Sequence, residues 1–183
     1  MLKNKRRFSR GFTLIELLVV IVILGILATV GLTFFTSSQM RGRDGKRKSD
    51  LKQIAAALEL YNSDYGSYPS SSGGLIKGCP TGTAPCQWGG SEFTDGKTTY
   101  MKIVPADPSG GSYWYRTVAV NGTDFQGFQL YARLENPQDI NCLPDLEGQP
   151  SCSQPALPTG TDCGSAGSCN FAVTSANVSP SDE

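Results

Sequence analysis

From Phe12 to Phe35 the chain runs 24 residues with a single charge, Glu16. At about 1.5 Å per residue, a helix of that length crosses the roughly 30 Å hydrocarbon core of a bilayer. The rest of the chain is organised around this span. Lys3, Lys5, Arg6, Arg7 and Arg10 precede it, with no acid among the first ten residues. That is the flank of a span whose N-terminal side stays in the cytoplasm. Glu16 is the odd residue. A carboxylate inside an apolar span costs about 2.5–3.5 kcal/mol on insertion scales, so it reads as functional by default.

Charge divides the chain. Residues 1–52 hold eleven Lys/Arg and three acids, whereas residues 53–183 hold five basic and thirteen acidic residues. The basic part flanks the span, where anionic headgroups attract it. The acidic part argues against a nucleic-acid-binding domain. There is no histidine. The commonest general base, the commonest metal ligand and the Ser-His and Cys-His nucleophile pairs are therefore missing, and no phosphate loop replaces them. The pattern predicts no enzyme.

Beyond Phe35 the chain turns polar, with Gly42 and Gly45 as the place for a kink and Arg41, Arg43, Lys46, Arg47 and Lys48 as a basic run. Leu51, Ile54, Leu58, Tyr61 and Tyr65 then recur at intervals of three and four, the stripe of an amphipathic helix. The spacing predicts one long helix ending near Asp64–Gly66, its second half lying against a globular head. Residues 70–96 are rich in Gly, Ser, Thr and Pro and read as loop, with Trp88 as an anchor. Thr98–Ile103 reads as a short strand or turn. Ser112–Val120 and Phe125–Leu134 read as two strands joined through Asn121-Gly122-Thr123-Asp124, a hairpin signal. Phe128, Leu130, Ala132 and Leu134 alternate with Gln129, Tyr131 and Arg133, which predicts one half-buried face. The tail from 135 reads as loop, with Phe171–Val173 as its strand candidate.

Six cysteines, Cys79, Cys86, Cys142, Cys152, Cys163 and Cys169, all follow the span. An even count in an exported segment predicts disulfides. An all-cysteine zinc site needs C-x-x-C spacing, which this chain lacks. Fifteen connectivities are open, and pairing of sequence neighbours is the expected one.

The basic leader ending in Gly11, followed by Phe12-Thr13-Leu14-Ile15-Glu16 and the apolar run, resembles the class III signal of type IV pilins and type II secretion pseudopilins. Asp50-Leu51-Lys52-Gln53-Ile54, continuing through Leu58 and Tyr61 to Gly66-Ser67-Tyr68-Pro69, is similar to the helix exit of major pseudopilins. Tyr100–Tyr115, with its Val104-Pro105-Ala106-Asp107-Pro108 turn, resembles a second signature of that group. Two features depart from it: the span contains no proline, and the tail is rich in cysteine.

The resemblance implies an α+β fold: a long N-terminal helix, transmembrane then amphipathic, on a small antiparallel sheet, with a disulfide-rich, loop-like C-terminal extension. The expected divisions are a leader 1–11, a span 12–35, an amphipathic continuation 36–66, a head 67–141 and an extension 142–183. A prepilin peptidase would cut between Gly11 and Phe12 and methylate Phe12. The subunit, held in the inner membrane with its head outside the cytoplasm, would self-assemble into a helical filament. Glu16 would act in assembly, together with an inner-membrane platform and minor pilins or pseudopilins. No cofactor is expected. The family's structural calcium would need an acidic loop after the strands; Asp124, Glu135, Asp139, Asp145 and Glu147 lie in that region but do not match it residue by residue, which leaves solvated surface acids as the expectation. The alternative is a membrane-tethered adhesion or DNA-uptake module using the same signal.

Overall fold

A computed structural model describes residues 11–79, 84–145, 147–153, 155–164 and 167–182, without the side chains of 30–33. The leader residues 1–10 lie outside the described residues. The chain divides into two compact units, Met1–Gln39 and Met40–Glu183.

Helix α1, Leu14–Tyr65, contributes to both units. Gly42 and Gly45 do not break it. The turn around them carries four ion-paired side chains, Arg43, Asp44, Lys46 and Arg47. In the first unit every described large apolar side chain from Phe12 to Phe35 is exposed. Exposure all round a helix of this composition fits a lipid or partner-helix environment.

In the second unit the stripe does its work of packing. Leu51, Ile54, Ala57 and Leu58 are buried in the head core, Tyr61 is partly buried against it, and Tyr65 stays exposed. The helix ends where Gly66 N–H bonds Asn62 C=O. Two small antiparallel pairs follow: β1 (Ser71–Ser72) with β2 (Leu75–Ile76), and β3 (Phe93–Thr94) with β4 (Thr99–Met101). The described residues of 70–96 therefore hold more regular structure than their composition predicts. Its backbone is drawn inward by the buried Cys79–Cys86 bridge and by Cys86 N–H bonding Ile76 C=O. Trp88 packs edge-on to Tyr113, ring centres 5.7 Å apart.

The main sheet is antiparallel, in the order β5 (Trp114–Val120), β6 (Thr123–Ala132), β7 (Phe171–Thr174). The hairpin is tighter than expected: Asn121 and Gly122 alone make the turn, both with positive φ, so the pairing Val120↔Thr123 closes directly on them. The extra residues are absorbed just inside it, where the register shifts before Val118↔Gly127 and Phe125 takes a positive φ.

The expectation of one buried face also needs correcting. Phe128, Leu130 and Ala132 join the helix-side core, as do Tyr113 and Tyr115. Gln129 and Tyr131, on the opposite face, are equally buried, because the tail folds back over them. Tyr131 forms a second core with Leu143, Cys163 and Cys169, flanked by Trp114, Leu157 and Ala172. Gly127 is required for this return. A Cβ there would lie 2.3 Å from Val178 and 2.9 Å from Val118.

Candidate functional site

Thr13 and Glu16 close the start of α1. Thr13 N–H and its hydroxyl both donate to Glu16 Oε2, at 2.9 and 2.7 Å, and Glu16 N–H donates back to Thr13 Oγ1 at 3.3 Å. This reciprocal arrangement satisfies amide groups that a helix start leaves without intrahelical partners. It also supplies the carboxylate, exposed in the lone chain, with donors from its own residues. Thr13 was not singled out from the sequence, although Thr-x-x-Glu before an apolar run is a readable capping pattern. Gly11 and Phe12 lie just before this cap and are exposed.

The second feature is a band of ion pairs between α1 and the loops of the head. Arg47, fully buried, donates Nε to Asp107 at 2.6 Å and Nη1 to Asp44 at 2.8 Å, and its Nη2 lies 2.7 Å from Glu135. Arg43 pairs with Glu135, Lys46 with Asp50 at 2.6 Å, and Lys48 with Asp139 at 2.7 Å. Asp50 also accepts from the buried Tyr113 hydroxyl at 2.9 Å. Asp44 reaches on to the backbone N–H groups of Glu135 and Asn136, both at 2.9 Å. These hydrogen bonds set the protonation states. The Arg43 hydrogen bond, with those of Arg47, holds Glu135 down to about 2 despite partial burial. Burial pushes Asp107 and Asp139 up, but the hydrogen bonds from Arg47 and Ser109 to the one and from Lys48 and Asn141 to the other leave both below the ordinary aspartate value.

Glu135 and Asp139 are thus not the solvated acids expected from sequence. The Asp44–Arg47 and Lys46–Asp50 spacings are legible as helix neighbours. The partners 60 to 92 residues away are not. The carboxylates after the sheet do not converge on one point either. Glu135 and Asp139 are held by the helix cations, and Asp145 accepts from Glu147 and Gln149 N–H in its own turn. No group of three or more metal-ligating side chains occurs among the described residues. These residues do not fit a shared calcium.

The cysteines are joined as Cys79–Cys86, Cys142–Cys152 and Cys163–Cys169. Each bridge closes a local loop. Besides the β6–β7 pairing, the tail is held to the sheet through Asn170, which is buried. Its side chain accepts from Leu134 N–H at 2.6 Å and donates to the carbonyls of Leu134 and Cys152, both at 3.0 Å. Further along, Gln129 donates to Ser179 and Asp182 carbonyls, and Tyr131 to that of Pro180. A hollow of about 450 Å³ beside this tail is lined by Arg133, Glu135, Pro137 and Cys152 among others. Its carboxylate, Glu135, is already engaged.

An exposed apolar helix with a capped carboxylate near its start, leading into a compact head, fits a membrane-anchored subunit. Comparison with known proteins agrees. The prokaryotic N-terminal methylation motif matches residues 6–32, and type II secretion system (T2SS) protein G matches residues 35–131, more than half the chain. The type II secretion system core protein G of Pseudomonas aeruginosa is 39% identical over 131 residues, 70% of this chain and 84% of the relative. That of Vibrio cholerae is 33% identical over 122 residues, 66% and 79% of the two chains. That of Escherichia coli K12 is 35% identical over 122 residues, 67% and 79%. No solved structure matches the chain. The chain belongs to the type II secretion system protein G family and is a structural subunit of the pseudopilus.

Proposed function

We propose that the chain enters the inner membrane with its basic leader in the cytoplasm, is cut between Gly11 and Phe12, and polymerises through its N-terminal helix with the head outside. A prepilin peptidase makes the cut and methylates Phe12; an assembly platform and minor pseudopilins start and feed the polymer. The protein acts by its surfaces and not by catalysis. Functionally it divides into the leader 1–11, the span 12–35, its helical continuation 36–66, the head 67–141 and the cysteine-rich extension 142–183.

The observation that carries this reading is the Thr13–Glu16 cap at the head of a helix with no apolar partner among the described residues of its own unit. In the lone subunit, Glu16 is satisfied locally. Cleavage creates a positive amine at Phe12, and methylation leaves its charge. Glu16 lies one helical turn further in. Apolar helices have no hydrophobic reason to leave lipid for one another. A carboxylate able to exchange its Thr13 donors for the amine of an adjoining subunit supplies that reason, and fixes axial register.

The test is Glu16→Ala expressed without wild-type copies. The variant is expected to insert, lose its leader and fold its head, yet be absent from sheared filaments. Normal filament yield would overturn the assignment of Glu16. An intact Met1–Arg10 on mature protein would overturn the processing step.

A further inference from the structure

The basic run beyond the span poses a problem. Arg41, Arg43, Lys46, Arg47 and Lys48 begin six residues after Phe35 and end thirteen after it. At about 1.5 Å per helical residue, that is roughly 9 to 20 Å of helix past the apolar stretch. The headgroup layer takes up roughly the first 5 to 7 Å of that distance, and charges within about 10 Å of it still feel an anionic surface. A juxtamembrane cluster of this size is the pattern that binds acidic phospholipid headgroups. A subunit destined to leave the bilayer for a filament has no use for such a grip.

In the folded head four of these five cations face carboxylates instead: Arg43 with Glu135, Lys46 with Asp50, Arg47 with Asp44, Asp107 and Glu135, and Lys48 with Asp139. Five carboxylates therefore meet four cations. The pairing is close and partly buried: side-chain exposure is 34% for Arg43, 24% for Lys48 and 1% for Arg47. Lys46 remains 57% exposed but touches a buried carboxylate. Two of the five acids, Glu135 and Asp139, lie beyond residue 131, where the family match ends. From Leu134 to the end the chain has seven acids and no basic residue.

We propose that the head, and the start of its cysteine-rich tail in particular, neutralises the juxtamembrane basic run so that the folded subunit does not hold anionic lipid headgroups. This rests on the membrane-anchored reading above. Folding thereby converts a polybasic segment, useful while the span is being oriented, into a surface indifferent to lipid charge. Arg41 and Lys52 are left without a carboxylate partner among the described residues and set the residual attraction. A purely mechanical role, in which the ion pairs only lock helix to head, is the competing explanation.

Charge-neutralising variants on the two sides of the pairs separate the two. Full-length protein is reconstituted in nanodiscs of phosphatidylcholine and phosphatidylglycerol, and co-retained lipid is counted by native mass spectrometry. Glu135→Gln/Asp139→Asn frees Arg43 and Lys48; Arg43→Gln/Lys48→Gln frees the carboxylates; the quadruple variant removes both. The Lys48–Asp139 and Arg43–Glu135 pairs are lost in all three. The expected result is about tenfold more phosphatidylglycerol on the first variant than on wild type, abolished by high salt, with the other two at or below the wild-type level. An equal rise in all three would show that loosening, not charge, controls lipid contact; no rise in the first would also overturn the proposal. Should the double carboxylate variant fail to fold, Asp139→Asn alone is read against Lys48→Gln with the same expectation. Lipid retention is read without filaments, so a failure here leaves the assembly role of Glu16 to its own test.

Discussion

The two faces of the β5-β6-β7 sheet are covered in different ways. The inner face meets α1 through aliphatic and aromatic side chains from many parts of the chain, Leu51, Ile54, Leu58, Tyr115, Phe128 and Leu130 among them. The outer face is closed by a segment with little apolar surface of its own. There, four buried residues form the core, two of them bridged cysteines, and hydrogen bonds from Asn170, Gln129 and Tyr131 hold the rest. A short segment that cannot bury enough apolar area must lose entropy in its unfolded state instead, which is what local disulfides provide. Asp107 and Glu135 meet on Arg47, one from the family-matched part and one from the tail, so the ion-pair band joins the two regions.

The largest effect is expected where both regions meet. Arg47→Ala leaves Asp44 and Asp107 buried without their cation, and breaking a buried pair in this way costs roughly 3–5 kcal/mol. Denaturant unfolding of the variant checks it; a change below about 1 kcal/mol would mean that water replaces the guanidinium and that the band does not couple the faces.

The faces themselves separate next. Leu58→Ala, on the inner face, should lower global stability by roughly 2–5 kcal/mol. Cys163→Ser/Cys169→Ser should cost about 2–3 kcal/mol, and the loss should be regional. Hydrogen exchange is expected to rise in residues 142–182 while β5 and the 51–58 turns of α1 keep their protection. Uniform loss of protection would show one cooperative unit and dissolve the comparison.

Acid should act through the band. Glu135 titrates near 2 in the folded head against an ordinary 4.5, and Asp107 and Asp139 are shifted the same way. A depressed folded value means stability that is complete above the unfolded value and lost as pH falls through the folded one. The melting temperature is therefore expected to drop between about pH 4.5 and pH 2, and the drop should shrink in Arg43→Gln/Lys48→Gln. An identical acid profile in that variant would remove the ion pairs as its cause.

The smallest effect is expected at Tyr131→Phe. It deletes the hydrogen bond to Pro180 C=O while keeping the ring in the outer core, a loss of about 1 kcal/mol. Protease nicking confined to the last residues is the finer measure.

Legibility followed the range of the interactions. The 3-4-3-4 spacing of Leu51 to Tyr65 located the inner face of the helix, and alternation from Phe128 to Leu134 located the strand that meets it. The same alternation implied an outward polar face, and there the structure differs. Gln129 and Tyr131 look like solvent residues until the tail, returning some 50 residues later, covers them. Composition likewise marked 70–96 as loop, because short strands held by a bridge carry almost no propensity signal of their own.

The sequence by itself determined the apolar run from Phe12 to Phe35, the place of Glu16 near its start, the amphipathic continuation and the Asn121-Gly122 turn. Each depends on residues within a few positions of one another, where helix and strand periods and turn preferences act directly. Only the tertiary structure decided which carboxylates meet Arg43, Arg47 and Lys48, which face of the sheet Gln129 occupies, and that the tail is part of the head. Those outcomes depend on contacts between segments far apart in the chain, whose energies exist only once the intervening chain has been folded to bring them together.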